Sequence, residues 1–133
     1  MYKAFVIYVA VLAGILVLDA IWLGALARRF YADKLGYLTA PNVRWGAAAL
    51  FYLLFAAGVT YFVVLPLAGG GSLGRAFAVG AFFGLVAYGT YDLTSQALVR
   101  SWPVVVTVVD LVWGALLTGM VSLLGLWSAR FFK

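Results

Sequence analysis

Three aspartates stand inside long apolar runs, Asp19, Asp92 and Asp110, and they are the residues whose type and setting point to chemistry. Asp92 belongs to the most polar stretch within the grease, Tyr88-Gly89-Thr90-Tyr91-Asp92-Leu93-Thr94-Ser95-Gln96. An acidic side chain at the centre of a membrane helix costs about 2.5 to 3.5 kcal/mol, and each Leu, Ile, Val or Phe returns about 0.3 to 0.6. Each run therefore tolerates one Asp and still inserts, provided that the carboxyl faces the protein interior. Carboxyls so placed can hold a cation or exchange a proton.

The elements that must position them follow from composition. Of 133 residues, 67% are hydrophobic and 10% charged, far from the roughly half-apolar make-up of a soluble domain. An all-α fold of four transmembrane helices is predicted, with spans at about 4–27, 43–65, 74–99 and 103–127, forming a single integral membrane domain over residues 1–133. Each run is long enough, at about 1.5 Å per residue, to cross a hydrocarbon core of about 30 Å. Lys3 and Ala25-Leu26-Ala27 imitate a signal peptide, but the first run is too long for one and Asp19 interrupts it. Residues 30–38, with Tyr31, Leu35 and Leu38 on one face, read as a short interfacial segment between spans one and two. Pro41 and Asn42 are expected to open the second span and Pro66 to close it, and Ser101 or Trp102 to cap the fourth. Residues 67–72, rich in glycine, make a flexible connection.

Composition also excludes. With no Cys, no His and no Glu, the chain has no disulfide, no thiol chemistry and no ordinary zinc site. No metal and no cofactor is called for. The net charge of +5 does not signal nucleic acid, because the basic residues sit at the ends of apolar runs, as headgroup anchors do. The expected partner is the lipid bilayer, and a homo-oligomer is compatible with the chain.

Four antiparallel spans gather what the sequence scatters. Asp19 lies past the middle of span one, Asp92 past the middle of span three, and Asp110 before the middle of span four. All three are then expected about 6 to 8 Å from the midplane, on the side of the first and third connections. Two carboxylates within about 6 Å repel by about 3 kcal/mol at an effective dielectric near 20. Protons, a basic side chain or a bound cation must neutralise such a layer. Tyr52, Tyr88, Tyr91, Trp22 and Trp113 fall in the same half and offer aromatic faces to a cation, and Gln96 continues the polar face of span three. Arg44 and Arg100 at the rim are candidate charge partners, reaching inward on long stems. Gly80 and Gly84, four apart, mark a close-packing face on span three, and Gly114 belongs to the small, polar stripe Asp110-Gly114-Thr118-Ser122 of span four. Leu18-Asp19-Ala20-Ile21-Trp22 is echoed by Val109-Asp110-Leu111-Val112-Trp113, for which internal duplication is one explanation and chance another.

Residues 17–24, Phe51-Tyr52, Tyr88-Gly89-Thr90-Tyr91-Asp92-Leu93-Thr94, Trp102-Pro103 and residues 109–114 together resemble the signature blocks of the bacterial membrane-protein family called domain of unknown function 2177. Ser95 stands where that pattern has Asn. The resemblance implies four spans in a bacterial cytoplasmic membrane and implies no activity.

Three functions compete on the residues. One is a small protein that binds or carries a cation or proton-coupled solute through Asp19, Asp92 and Asp110. Its general shape resembles the four-span small multidrug resistance transporters, which is analogy of architecture alone. Another is a lipid-modifying membrane enzyme or its accessory, ranked lower because no nucleophile with a dedicated base is visible. The last is an assembly protein that holds a partner helix on the Gly80/Gly84 face. Arg28, Arg29, Lys34, Arg44 and Arg100 on one side against Lys3, Arg75, Arg130 and Lys133 on the other favour the first group facing the cytoplasm.

Overall fold

The computed structural model describes residues 2–131, and among these every regular element is helical. Four helices are long and apolar enough to cross a membrane: α1 (Tyr2–Leu26), α3 (Trp45–Leu67), α4 (Leu73–Leu98) and α5 (Val104–Ala129). A shorter helix, α2 (Arg28–Leu35), lies between α1 and α3.

Local chemistry sets the ends of these helices. The last turn of α1, Trp22–Leu26, is widened to π-helical form, and the Ala27 N–H closes it on the Trp22 carbonyl at 2.7 Å. α2 then leaves in a new direction, with Lys34 in its last turn, where the helix dipole favours a cation. Leu38, expected on one helical face with Tyr31 and Leu35, falls in the turn beyond the helix, which ends at Leu35. The Tyr37 hydroxyl donates to the Ser101 carbonyl at 2.8 Å and ties this connection to the α4–α5 turn. Ser101 makes that turn with φ at 60°, in the left-handed region.

Three boundary expectations are corrected. Pro41 and Asn42 lie in a bend ahead of α3, and Arg44 occupies the N-cap position without a side-chain bond. Pro66 does not close α3. It sits in the last turn, Leu65–Leu67, and the helix widens to π-helical form over Val59–Val64 just before it. A proline without an N–H, whose ring crowds the preceding turn, disturbs the regular hydrogen-bond ladder there. At α5 the N-cap is Pro103, neither Ser101 nor Trp102. Trp102 is buried and its indole donates to the Thr107 hydroxyl at 3.1 Å. The start of α4 does carry a side-chain cap, Ser72 Oγ accepting from the Arg75 N–H at 3.1 Å.

α5 is the central helix, packed against both α4 and α1. The α4–α5 contact is the closest, and its basis is the absence of side chains. A methyl group at Gly80 would meet Ser122 Cβ at 2.7 Å and the Thr118 carbonyl at 2.8 Å, and one at Gly114 would meet Tyr88 Cβ at 2.9 Å. Gly84 faces the Gly114 carbonyl and Thr118. The Gly80/Gly84 face is therefore filled by α5 of the same chain. This corrects the expectation that it stands open to a partner helix: the stripe of small residues on α5 is its complement.

The apolar core occupies only one half of the bundle. It joins Ile7, Val11 and Ile15 of α1, Phe55 to Val64 of α3, Ala76 of α4, and Leu117, Val121 and Leu126 of α5. In the other half the first part of α3, residues 45–54, is mostly exposed, and its substantial packing is against α1. The polar groups gather there.

Candidate functional site

Asp19 lies four residues beyond Ile15 on the buried face of α1, so the helical repeat that builds the core carries a carboxyl inward at its next turn. Asp19 is 6% exposed, and both of its oxygens are used: Oδ1 accepts from the Trp113 indole at 2.9 Å and Oδ2 from the Tyr52 hydroxyl at 2.7 Å. Asp110, at the matching place on α5, accepts a short hydrogen bond from the Tyr31 hydroxyl, and Tyr31 in turn accepts from the Trp22 indole at 3.1 Å. Trp22 and Trp113 stack with centroids 4.5 Å apart and planes 8° from parallel.

These bonds give the sequence echo a geometric form. Each Asp-x-x-Trp places its tryptophan one turn from its aspartate. The Trp113 indole serves the aspartate of α1, and the Trp22 indole serves that of α5 through Tyr31. The stacked indoles form the centre of this exchange.

Around it lies a cavity of about 430 Å3, lined by Asp19, Trp22, Tyr31, Tyr52, Tyr88, Tyr91, Asp110 and Trp113, with Leu23, Leu35, Phe51 and Ala87 as apolar wall. That volume is within the usual range for small-molecule sites, about 300 to 1,000 Å3. No Lys or Arg is among the lining residues. A second cavity, about 700 Å3, lies at the opposite end beside Lys3, Arg130 and the turn at Gly69 to Gly71.

Tyr31 is the residue that sequence reading missed. Its spacing with Leu35 and Leu38 points to an interfacial face, yet α2 directs it into the bundle to bond Asp110. Its phenol is pushed above the ordinary tyrosine range, first by burial and then by the hydrogen bond to Asp110. The Trp22 indole opposes the shift, and the charges of Asp110 and Asp92 add to it. Tyr31 thus stays an O–H donor near neutral pH. The only signal in the sequence is a tyrosine two residues after the Arg28-Arg29 pair, which an aromatic belt explains equally well.

The remaining candidates separate. Asp92 is 0% exposed and does not line the cavity, and neither of its oxygens has a hydrogen-bond partner among the described residues. Its backbone carbonyl accepts a long bond of 3.5 Å from Thr107. Gln96 is exposed one turn further along and does not join the site, because α4 there has run past the cavity. Arg44 and Arg100 are exposed too, and neither pairs with a described carboxylate. Aromatic N–H and O–H donors hold Asp19 and Asp110 where arginines were expected to. Among the described residues no cluster of three potential ligands suits a metal ion.

The comparisons with known proteins agree with the architecture. No curated protein and no solved structure matches the chain. One family model, described as a predicted membrane protein, matches residues 4–127 and so takes in all three aspartates, the stacked tryptophans and Tyr31. The chain is accordingly a multi-pass membrane protein belonging to the domain of unknown function 2177 family.

Proposed function

We propose that the protein binds a small organic cation of the quaternary ammonium class in the cavity between Asp19 and Asp110, as a binding or carrier protein of a bacterial cytoplasmic membrane. The observation that carries this reading is the pairing of two buried carboxyls with a wall of aromatic rings and no basic residue. Aromatic donors already bond three of the four oxygens of Asp19 and Asp110. What the site has left to offer is negative charge, ring faces and the second oxygen of Asp110. A quaternary ammonium uses the first two, and the three aromatic donors leave few lone pairs for a cation that must place several N–H groups.

Magnitudes favour charge as the main attraction. A cation about 5 Å from a carboxylate gains about 3 kcal/mol at an effective dielectric near 20. Each desolvated ring face adds up to about 2 kcal/mol. A neutral molecule of the same shape would keep only the apolar contact.

The test is a tryptophan-fluorescence titration of the purified protein with choline and with 3,3-dimethylbutan-1-ol, its neutral carbon isostere. Choline should bind and the isostere should not, and Asp19→Asn should weaken choline. Equal response to both molecules would remove the proposal.

A further inference from the structure

α1 and α5 stand at the back of the cavity with Asp19, Trp22, Asp110 and Trp113, and α2 lies across one end with Tyr31 and Leu35. The two sides are α3, through Phe51 and Tyr52, and α4, through Ala87, Tyr88 and Tyr91. These two sides are not packed together along the cavity. α3 meets α4 through Phe55, whose ring lies 6.0 Å from Phe83 and 6.2 Å from Tyr88, and through the widened turn Val59–Val64. Ahead of Phe55, the first part of α3 has no substantial contact with α4, and Leu50, Phe51, Leu54 and Tyr91 are all exposed. The cavity therefore has an opening, or slit, between α3 and α4, two membrane-spanning helices whose residues beside it are exposed and largely apolar.

Resting on the reading of a cation site, we infer that the ligand is a single-chain amphiphile with a net positive head, which reaches the cavity sideways from the membrane. Its quaternary ammonium head sits between Asp19 and Asp110, and its alkyl chain passes out through the slit past Phe51 and Ala87. Slit and cavity differ in chemistry as the two halves of such a molecule do. The walls of the slit are apolar, so the chain leaves lipid for a similar medium at little cost. Charge at the back of the cavity then provides the selectivity. A zwitterionic phospholipid is disfavoured, because no Lys or Arg lines the cavity to receive its phosphate beside two carboxyls.

The experiment uses the wild-type protein in lipid nanodiscs and a decyltrimethylammonium probe bearing a diazirine at the end of its chain. After irradiation, adducts are mapped by mass spectrometry. They should fall on slit residues of α3 and α4, among them Phe51, Leu54 and Tyr91, and excess unlabelled tetramethylammonium should suppress them. Adducts on Tyr31 and Leu35 would move the mouth to the α2 end and overturn the inference, as would adducts spread evenly over the outer surface. Competition by lysophosphatidylcholine as strong as that by decyltrimethylammonium would overturn the restriction to a net positive head. Failure of the underlying cation site has a different signature: tetramethylammonium would suppress nothing, and choline would not titrate the tryptophans.

Discussion

Replacing Gly84 by alanine adds one methyl group at the tightest point between α4 and α5, and the outcome measures how far the bundle depends on that closeness. The new Cβ would face the Gly114 carbonyl and Thr118 Oγ1, and would lie 2.7 Å from Thr118 Cβ. Ordinary contact begins at 3.4 Å, so the helices must part by more than the 0.7 Å that Thr118 Cβ alone requires, or distort. The nearest obstacle is backbone, which cannot turn aside as a flexible side chain does. Overpacking of this kind costs about 1 to 3 kcal/mol, and a rigid obstacle places it at the upper end. Alanine recovers about 1 kcal/mol through its better helix propensity. The net expectation is a loss of about 2 kcal/mol. Gly24→Ala is the control, since a Cβ there meets nothing within 4 Å. It should be neutral or stabilise by up to about 1 kcal/mol. The assay is equilibrium unfolding in mixed dodecylmaltoside and dodecyl sulfate micelles, followed by circular dichroism. A Gly84→Ala protein as stable as the Gly24→Ala protein would refute the reasoning.

Other outcomes follow from the site. Tyr52→Phe takes from Asp19 Oδ2 its hydroxyl donor and should cost about 1.5 to 3 kcal/mol, more than the average of about 0.6 for hydrogen bonds between membrane helices, because the acceptor is a carboxyl; a smaller loss in the same unfolding assay would count against the bond. Asp92→Asn should raise the unfolding midpoint, since a fully buried carboxyl without a partner is exchanged for a neutral group of equal shape; a lowered midpoint would contradict it. Tyr31 has its phenol raised above its ordinary value of 10.0, so the stability it contributes is complete below about pH 10 and is lost as pH rises through the higher folded value. Stability measured from pH 8 upward should therefore fall more steeply for the wild type than for Tyr31→Phe, and parallel curves would exclude the linkage.

The parts of this molecule that could be read from sequence are those set by repeated, local rules. Four runs of apolar residues give four membrane helices because length and hydropathy suffice to define a span. The fit of Gly80 and Gly84 to the Gly114-Thr118-Ser122 stripe was half legible: each stripe was visible, but nothing in one helix tells which other helix fills it. Depth arithmetic brought Asp19 and Asp110 to one level. It could not tell a carboxyl that lines a cavity from one that stands behind it, which is the difference between Asp110 and Asp92. That distinction depends on the rotation of α4, which also leaves Gln96 exposed and away from the cavity. Tyr31 escaped because its role arises from the widened turn at Trp22–Leu26, which redirects the chain into α2. Such a turn has no signature in the local sequence. Arginine partners were expected from charge alone, whereas the indole of Trp113 and the hydroxyls of Tyr31 and Tyr52 do the work from closer range.

The account turns on where a quaternary ammonium comes to rest. A crystal of the protein soaked with (4-bromophenyl)trimethylammonium, with anomalous diffraction recorded at the bromine edge, would locate it directly. The account predicts one bromine peak in the cavity, with the ammonium between Asp19 and Asp110 beside the stacked pair Trp22 and Trp113. A peak confined to the basic cavity near Lys3 and Arg130, or an acidic cavity left without any, would contradict it.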